Sequence, residues 1–119
     1  MKQLVAVYGS LRHGLGNHRL LQGAEFKGLD TTQPEWTMYS LGGFPGLMQE
    51  GETPITIEVY EVDVDTFARL DGLEGYPRFY NRVEIDTIYG KAWIYFLQDN
   101  SYRDHSIVQS GDWKSFLNN

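Results

Sequence analysis

The sequence predicts a mixed α+β domain with about six mostly antiparallel strands that can curl into a small barrel. Residues 55–63 alternate in side-chain character along their whole length, which is typical of a β-strand. Residues 64–73 then place apolar side chains at helical spacing. Residues 79–88 and 91–97 alternate again around a turn at Tyr89–Gly90, and this pattern predicts an antiparallel hairpin.

Three further strands are predicted in the first part of the chain, at residues 3–8, 24–31 and 34–41. The first of them is followed by a glycine-bearing loop at 9–17. Asn17 is placed to cap the short helical turn that comes next.

Glycine, proline and polar residues mark the other connections. The segment Gly42 to Gly46 contains too much glycine and proline for regular structure, and it is predicted to be a loop. Asp99 to His105 predicts a polar loop, and residues 108–117 predict a turn followed by a short helix. The 119 residues contain no repeat or linker, so residues 1–119 are expected to form a single domain.

The composition excludes several classes of function. Ten basic residues against sixteen acidic ones leave a formal charge of −6, which disfavours binding to nucleic acid or to an anionic membrane surface. The chain has no cysteine, which rules out disulfides, thiolate catalysis and cysteine-held metals. Three histidines without metal-ligand spacing predict no metal site. We expect a cytoplasmic protein, because no signal peptide or membrane-spanning run is present.

The first strand and the turn after it form one candidate site. The apolar run from Leu4 to Val7 ends abruptly at Tyr8, Gly9, Ser10 and Leu11. Successive backbone N–H groups in such a turn can point into one concavity and hold an anion. The alternative is an ordinary turn after a strand, and these residues alone favour it.

Glu74 is the strongest candidate for chemistry among the carboxylates. It follows Leu73 and precedes Gly75, Tyr76 and Pro77 at the end of the predicted helix. Apolar and aromatic surroundings disfavour the charged form, so we expect a raised pKa that suits an acid or base near neutral pH. The alternative is that Glu74 caps the helix or forms a salt bridge there. Asp71 lies on the same helical face and is expected to bind local backbone.

These stretches together resemble the gamma-glutamylcyclotransferase-like family. The resemblance is to the branch that contains gamma-glutamylamine cyclotransferase and the plant avirulence-induced proteins. It rests on the pair of motifs Val7–Arg12 and Leu70–Pro77, and it continues through Tyr80-x-Arg82, Ala92–Tyr95 and Ser110–Trp113. The two main motifs are specific only in combination, and the similarity covers most of the chain.

The resemblance implies a small β-barrel flanked by short helices, with no metal or organic cofactor. It implies that the turn from Tyr8 to Leu11 holds a gamma-glutamyl moiety and that Glu74 is the catalytic acid/base. The implied reaction, of the transferase or lyase type, releases 5-oxoproline from a gamma-glutamyl amine, amino acid or peptide. Either Tyr80 or Tyr95 is expected to line the pocket.

Two other functions fit the same features. One is a binding or regulatory module that keeps the fold and the pocket without catalysis, since a fold does not guarantee an activity. Retention of Glu74 argues against it, because a pure binder gains nothing from a carboxylate that faces a carboxylated ligand. The other is an enzyme of the same mechanism that removes a gamma-glutamyl protecting group in a biosynthetic pathway.

Overall fold

Seven strands and two α-helices form the regular structure of residues 2–98 and 104–118, which this computed structural model describes. The strands are β1 (Gln3–Val7), β2 (Glu25–Thr31), β3 (Trp36–Ser40), β4 (Pro45–Thr53), β5 (Thr56–Val62), β6 (Tyr80–Thr87) and β7 (Gly90–Leu97). The helices are α1 (Val64–Glu74) and α2 (Trp113–Leu117), and a 3-10 turn spans His18–Leu21. None of the described helices is long and apolar enough to cross a membrane.

The strands form a five-stranded sheet in the order β2-β5-β1-β7-β6 and a two-stranded sheet of β3 and β4. Strand β1 runs antiparallel to β5 and parallel to β7, and the other pairings are antiparallel. The α+β, mostly antiparallel prediction is therefore confirmed. The predicted barrel is not closed, because β2 and β6 end the larger sheet and neither β3 nor β4 pairs with a strand of that sheet.

Strand β4 corrects the predicted loop from Gly42 to Gly46 and brings the strand number to seven. Gly42, Gly43 and Phe44 form a bend, but the strand begins at Pro45 and pairs with β3. Position 46 of this strand requires a glycine because a Cβ there would lie 2.5 Å from the side chain of Leu97. Close packing against β7, rather than flexibility, explains this glycine.

The predicted hairpin near residue 89 is confirmed, with a turn one residue earlier than expected. Strand β6 ends at Thr87 and β7 begins at Gly90, which are paired, so Ile88 and Tyr89 form the connection. The predicted C-terminal helix is present as α2. In the predicted polar loop, residues 99–103 lie outside the described residues.

Helix α1 ends where a left-handed glycine stops it. The Asp63 side chain caps its start by accepting a hydrogen bond of 2.8 Å from the Thr66 amide. Gly75 has a φ of 64°, and the following amide of Tyr76 bonds back to the Asp71 carbonyl at 2.9 Å. Glu74 is therefore the last helical residue.

The core lies on both faces of β1. Val5 and Val7 pack on one side, and Ala6 and Tyr8 pack on the other, because alternate side chains of a strand point to opposite faces. Strand β5, which lies next to it, is also buried on both faces. This central position holds the end of β1, and the turn that follows, in a fixed place.

Candidate active site

A cavity of about 330 Å³ lies where the end of β1, the start of β4 and the end of α1 meet. Both the turn after β1 and Glu74 line it, although Glu74 follows Tyr8 by 66 positions along the chain. Its other walls come from the bend before β4 and from two tyrosines of β6 and β7. The lining residues are Ala6, Val7, Tyr8, Gly9, Ser10, Leu11, Asn17, Gly43, Phe44, Pro45, Leu73, Glu74, Phe79, Tyr80 and Tyr95.

The turn after β1 is closed by its own backbone. The Arg12 amide donates to the Gly9 carbonyl at 2.9 Å, and the Asn17 amide donates to the Ser10 carbonyl at 2.9 Å. No acceptor in the described part of the chain pairs with the amides of Gly9, Ser10 and Leu11. Three successive donors beside a cavity are the arrangement that can hold an anion.

Asn17 contributes to this turn, which corrects its predicted role as a helix cap. Its side chain makes no capping bond to the 3-10 turn. Instead, the Asn17 Nδ2 donates to the Ser10 Oγ at 2.8 Å. A side-chain amide has two donors and one acceptor, so its best partner depends on which segment lies nearest.

Packing, rather than backbone freedom, requires a glycine at position 9. A Cβ there would lie 2.8 Å from Cγ and 2.9 Å from Cδ of Pro45, and the φ of Gly9 is not positive. The turn and the start of β4 therefore touch directly. Both residues line the cavity.

We expect Gly9→Ala to destabilise the protein by about 1–3 kcal/mol, since the extra methyl group overpacks the contact with Pro45. Gly16→Ala is the matched control, because nothing lies within 4 Å of a Cβ at that position in the same loop. Urea unfolding of both variants measures the difference. Equal stability of the two variants would contradict the packing account.

A network of buried and partly buried ion pairs holds the end of the turn in place, and the sequence did not predict it. Arg12 donates through Nε to Glu58 Oε2 at 2.9 Å and through Nη1 to Asp112 Oδ1 at 2.8 Å. Glu58 also accepts from the His13 amide and the Tyr60 hydroxyl, each at 2.9 Å. Burial alone would raise the pKa of Glu58, but these hydrogen bonds lower it overall.

Glu74 reaches the cavity as a partly buried carboxyl. Burial raises its pKa to about 7, as the apolar context predicted. The carbonyl groups at the C-terminal end of α1 disfavour an anion there as well. Burial raises the pKa of the Tyr8 and Tyr95 phenols, and the negative charge of the Glu74 carboxylate raises each pKa further.

The structural alternatives for Glu74 find no support in the described residues. Gly75 provides the helix cap through its backbone, and none of the described basic side chains forms an ion pair with Glu74. A buried carboxyl without a cation is costly when ionised. Such a group is a candidate for proton transfer.

Asp71, one helical turn earlier, has a different role from Glu74. It pairs with Arg82 at 2.9 Å and accepts a hydrogen bond of 2.7 Å from the Tyr95 hydroxyl. This corrects the expectation that it binds local backbone. The Arg82 guanidinium also lies over aromatic rings, 4.1 Å from the Tyr76 centroid and 4.5 Å from that of Trp93. Asp71 therefore ties the end of α1 to β6 and β7.

Both tyrosines expected near the pocket line it, and both are buried. The Tyr80 hydroxyl donates to the Pro45 carbonyl at 2.8 Å. Tyr95 bonds to Asp71 through its hydroxyl and accepts from the Tyr8 hydroxyl, at 2.8 Å, through its carbonyl. These bonds hold three walls of the cavity together.

We expect the charge on Glu74 to lower stability as the pH rises. The unfolded group has an ordinary pKa of 4.5, and the folded group has a pKa of about 7, so the unfolded state releases its proton first. The contribution of Glu74 to stability thus falls between pH 4.5 and pH 7 and is constant above that window. Glu74→Gln cannot ionise, so its free energy of unfolding should rise relative to that of the wild type across this window, by at most about 3 kcal/mol.

Urea unfolding at pH 4.5, 6 and 8 measures this gain. Glu84→Gln, at an exposed position of β6, is the control and should show no comparable trend. A Glu74→Gln difference that stays constant with pH would contradict the raised pKa.

Metal chemistry has no evident site in residues 2–98 and 104–118. No group of three or more histidine, aspartate or glutamate side chains is placed there to hold an ion. His13 and His105 are exposed, and His18 contacts the Leu11 carbonyl through Nδ1 at 2.9 Å.

Comparison with known proteins shows the family to which the chain belongs. A family model described as gamma-glutamyl cyclotransferase, AIG2-like, matches residues 5–115. A Vibrio cholerae protein with a provisional gamma-glutamylcyclotransferase name is 49% identical over 113 residues, which are 95% of this chain and 96% of that protein. Escherichia coli YtfP, named a gamma-glutamylcyclotransferase family protein, is 38% identical over 109 residues, 92% of this chain and 94% of its own.

Solved structures of relatives have the same fold. The crystal structure of PH0828 from Pyrococcus horikoshii matches with a TM-score of 0.85 at 32% identity, covering 97% of this chain and 92% of that one. The solution structure of Escherichia coli YtfP matches with a TM-score of 0.74 at 37% identity, covering 95% and 96%. The chain therefore belongs to the gamma-glutamyl cyclotransferase, AIG2-like family, a family of cyclotransferase enzymes.

Proposed function

We propose that this protein releases 5-oxoproline and a free amine from a gamma-glutamyl amine, amino acid or peptide, with Glu74 as acid and base. The observation that carries the proposal is the shared cavity, which is lined both by a carboxyl with a pKa of about 7 and by three residues whose amides have no acceptor among the described residues. A gamma-glutamyl group carries an ammonium and a carboxylate, so it is complementary to both features.

The substrate supplies its own nucleophile in this reaction. Its α-amine attacks its γ-carbonyl carbon, a five-membered lactam forms, and the bond to the leaving nitrogen breaks. The main requirement is a bent substrate, and holding reactants in such a geometry can contribute up to about 7–11 kcal/mol. The amides of Gly9, Ser10 and Leu11 are suited to bind the α-carboxylate and thereby fix that bend.

Glu74 is suited to move the protons. The α-ammonium has three hydrogens and the lactam nitrogen keeps one, so two must pass to the leaving nitrogen. The carboxylate accepts the first proton before the amine attacks and donates it to the departing nitrogen, and then repeats this for the second. A pKa of about 7 keeps both forms of Glu74 populated near neutral pH.

The test is release of 5-oxoproline by the purified wild-type protein from a panel of gamma-glutamyl amines, amino acids and peptides. We expect kcat/KM to rise with pH through about 7, because the base form of Glu74 is the active one in the free enzyme. Binding without release from any member of the panel would instead favour the non-catalytic binding module.

A further inference from the structure

We infer that the leaving amine of the substrate carries an uncharged, apolar substituent, held at the mouth of the cavity by Phe44, Leu73 and Phe79. This inference rests on the proposed function and names the substrate class of the same site. It follows from two properties of the cavity wall. One is the position of its exposed side chains, and the other is its set of charged groups.

The mouth of the cavity is apolar. Phe44 is 41% exposed, Leu73 is 42% exposed and Phe79 is 39% exposed, and all three line the cavity. The two phenylalanine rings are in contact edge to face, with centroids 6.5 Å apart and an angle of 67° between their planes. The other apolar lining residues are largely buried and form the floor. A group that extends out of the cavity can therefore contact this apolar rim, which contains the exposed side chains of the lining.

The position of Leu73 on the helix supports a role in binding. It continues the apolar stripe of α1, yet it is exposed, whereas Leu70 on the same stripe is fully buried. Packing in the core therefore leaves part of the surface of this leucine uncovered. Contact with a bound molecule would remove its surface from water, as burial does for Leu70.

The charges of the wall disfavour a second ionic group. Among the described lining residues, Glu74 alone is acidic, and none is basic. In the proposed reaction Glu74 faces the α-ammonium of the gamma-glutamyl part. Arg78 is exposed next to Phe79 but does not line the cavity. A leaving group with its own carboxylate or ammonium would lose water at the rim without gaining a partner.

Size and charge can be tested separately with four gamma-glutamyl amides. The amines are methylamine, n-butylamine, 1,4-diaminobutane and 4-aminobutyric acid, so the last three share a four-carbon chain and differ in charge. We expect kcat/KM for the butylamide to exceed that for the methylamide by about tenfold or more, since each buried methylene is worth about fourfold. The kcat/KM for the butylamide should also exceed that for each charged amide by at least about tenfold.

The rim is tested by Phe44→Ala, at a bend where the change leaves the strands intact. We expect kcat/KM for the butylamide to fall about tenfold, with the methylamide within about twofold and Phe44→Leu restoring part of the loss. Phe26→Ala is the matched control, because Phe26 is 53% exposed on β2 and does not line the cavity. It should leave both rates within about twofold.

Equal rates for the butylamide and either charged amide, or an equal loss on both uncharged amides in Phe44→Ala, would overturn the inference and leave the proposed function intact. Calorimetric binding of the four amides to Glu74→Gln separates the two proposals. Absence of turnover by the wild type, with the butylamide still bound most tightly, would overturn the proposed function and support the apolar site. Absence of turnover, together with equal binding of the four amides, would overturn both the proposed function and the inference.

Discussion

Glu74→Gln should lower kcat for 5-oxoproline release by about 10²–10⁴-fold while it leaves the fold intact. Glutamine matches glutamate in size and still forms hydrogen bonds, so packing at the end of α1 is preserved. It cannot accept the proton that the substrate α-ammonium must lose before attack. An interaction of this kind appears in kcat, whereas binding of 5-oxoproline should change little.

The measurement is 5-oxoproline release at saturating substrate, together with calorimetric binding of 5-oxoproline. Glu84→Gln makes the same chemical change at an exposed position of β6 and should retain normal turnover. Asp71→Asn is unsuitable as the control, since Asp71 holds Arg82 and the Tyr95 hydroxyl. Near-normal turnover by Glu74→Gln would end the catalytic assignment and favour a binding module.

Arg12→Met should cost about 3–5 kcal/mol of unfolding free energy, a large part of the 5–15 kcal/mol typical of a domain. The variant leaves the carboxylate of Glu58, 4% exposed as a side chain, without its closest cation and removes the link to Asp112. Lys114, 3.4 Å from Glu58, is a weaker and more exposed partner. The remaining bonds from His13 and Tyr60 cannot neutralise the charge.

Urea unfolding at pH 7 measures this cost. Lys91→Met breaks the exposed pair with Asp86 and should change stability far less than Arg12→Met does, because solvent screens that pair. The double variant Arg12→Met/Glu58→Gln should recover part of the loss, because it removes the unpaired buried charge. An effect of Arg12→Met as small as that of Lys91→Met would contradict the account of the network.

Local patterns allowed much of the fold to be predicted. The alternation in β5 and the hairpin of β6 and β7 depend on neighbouring residues, and so does the capped end of α1. Strand β4 was missed because its Gly46 packs against Leu97, a residue far away in sequence. The predicted barrel closure failed for a related reason, because strand order across a sheet is set by long-range packing.

The candidate site divides in the same way. The sequence by itself determined that Glu74 ends a helix among apolar neighbours and that a glycine turn follows the first strand, because both features are local. Only the tertiary structure decided that these features share one cavity, that Asp71 is held by Arg82, and that Arg12 joins Glu58 to Asp112. Such contacts join side chains distant in sequence, and no spacing along the chain specifies them. Burial, which raises the pKa of Glu74, is likewise a property of the folded molecule alone.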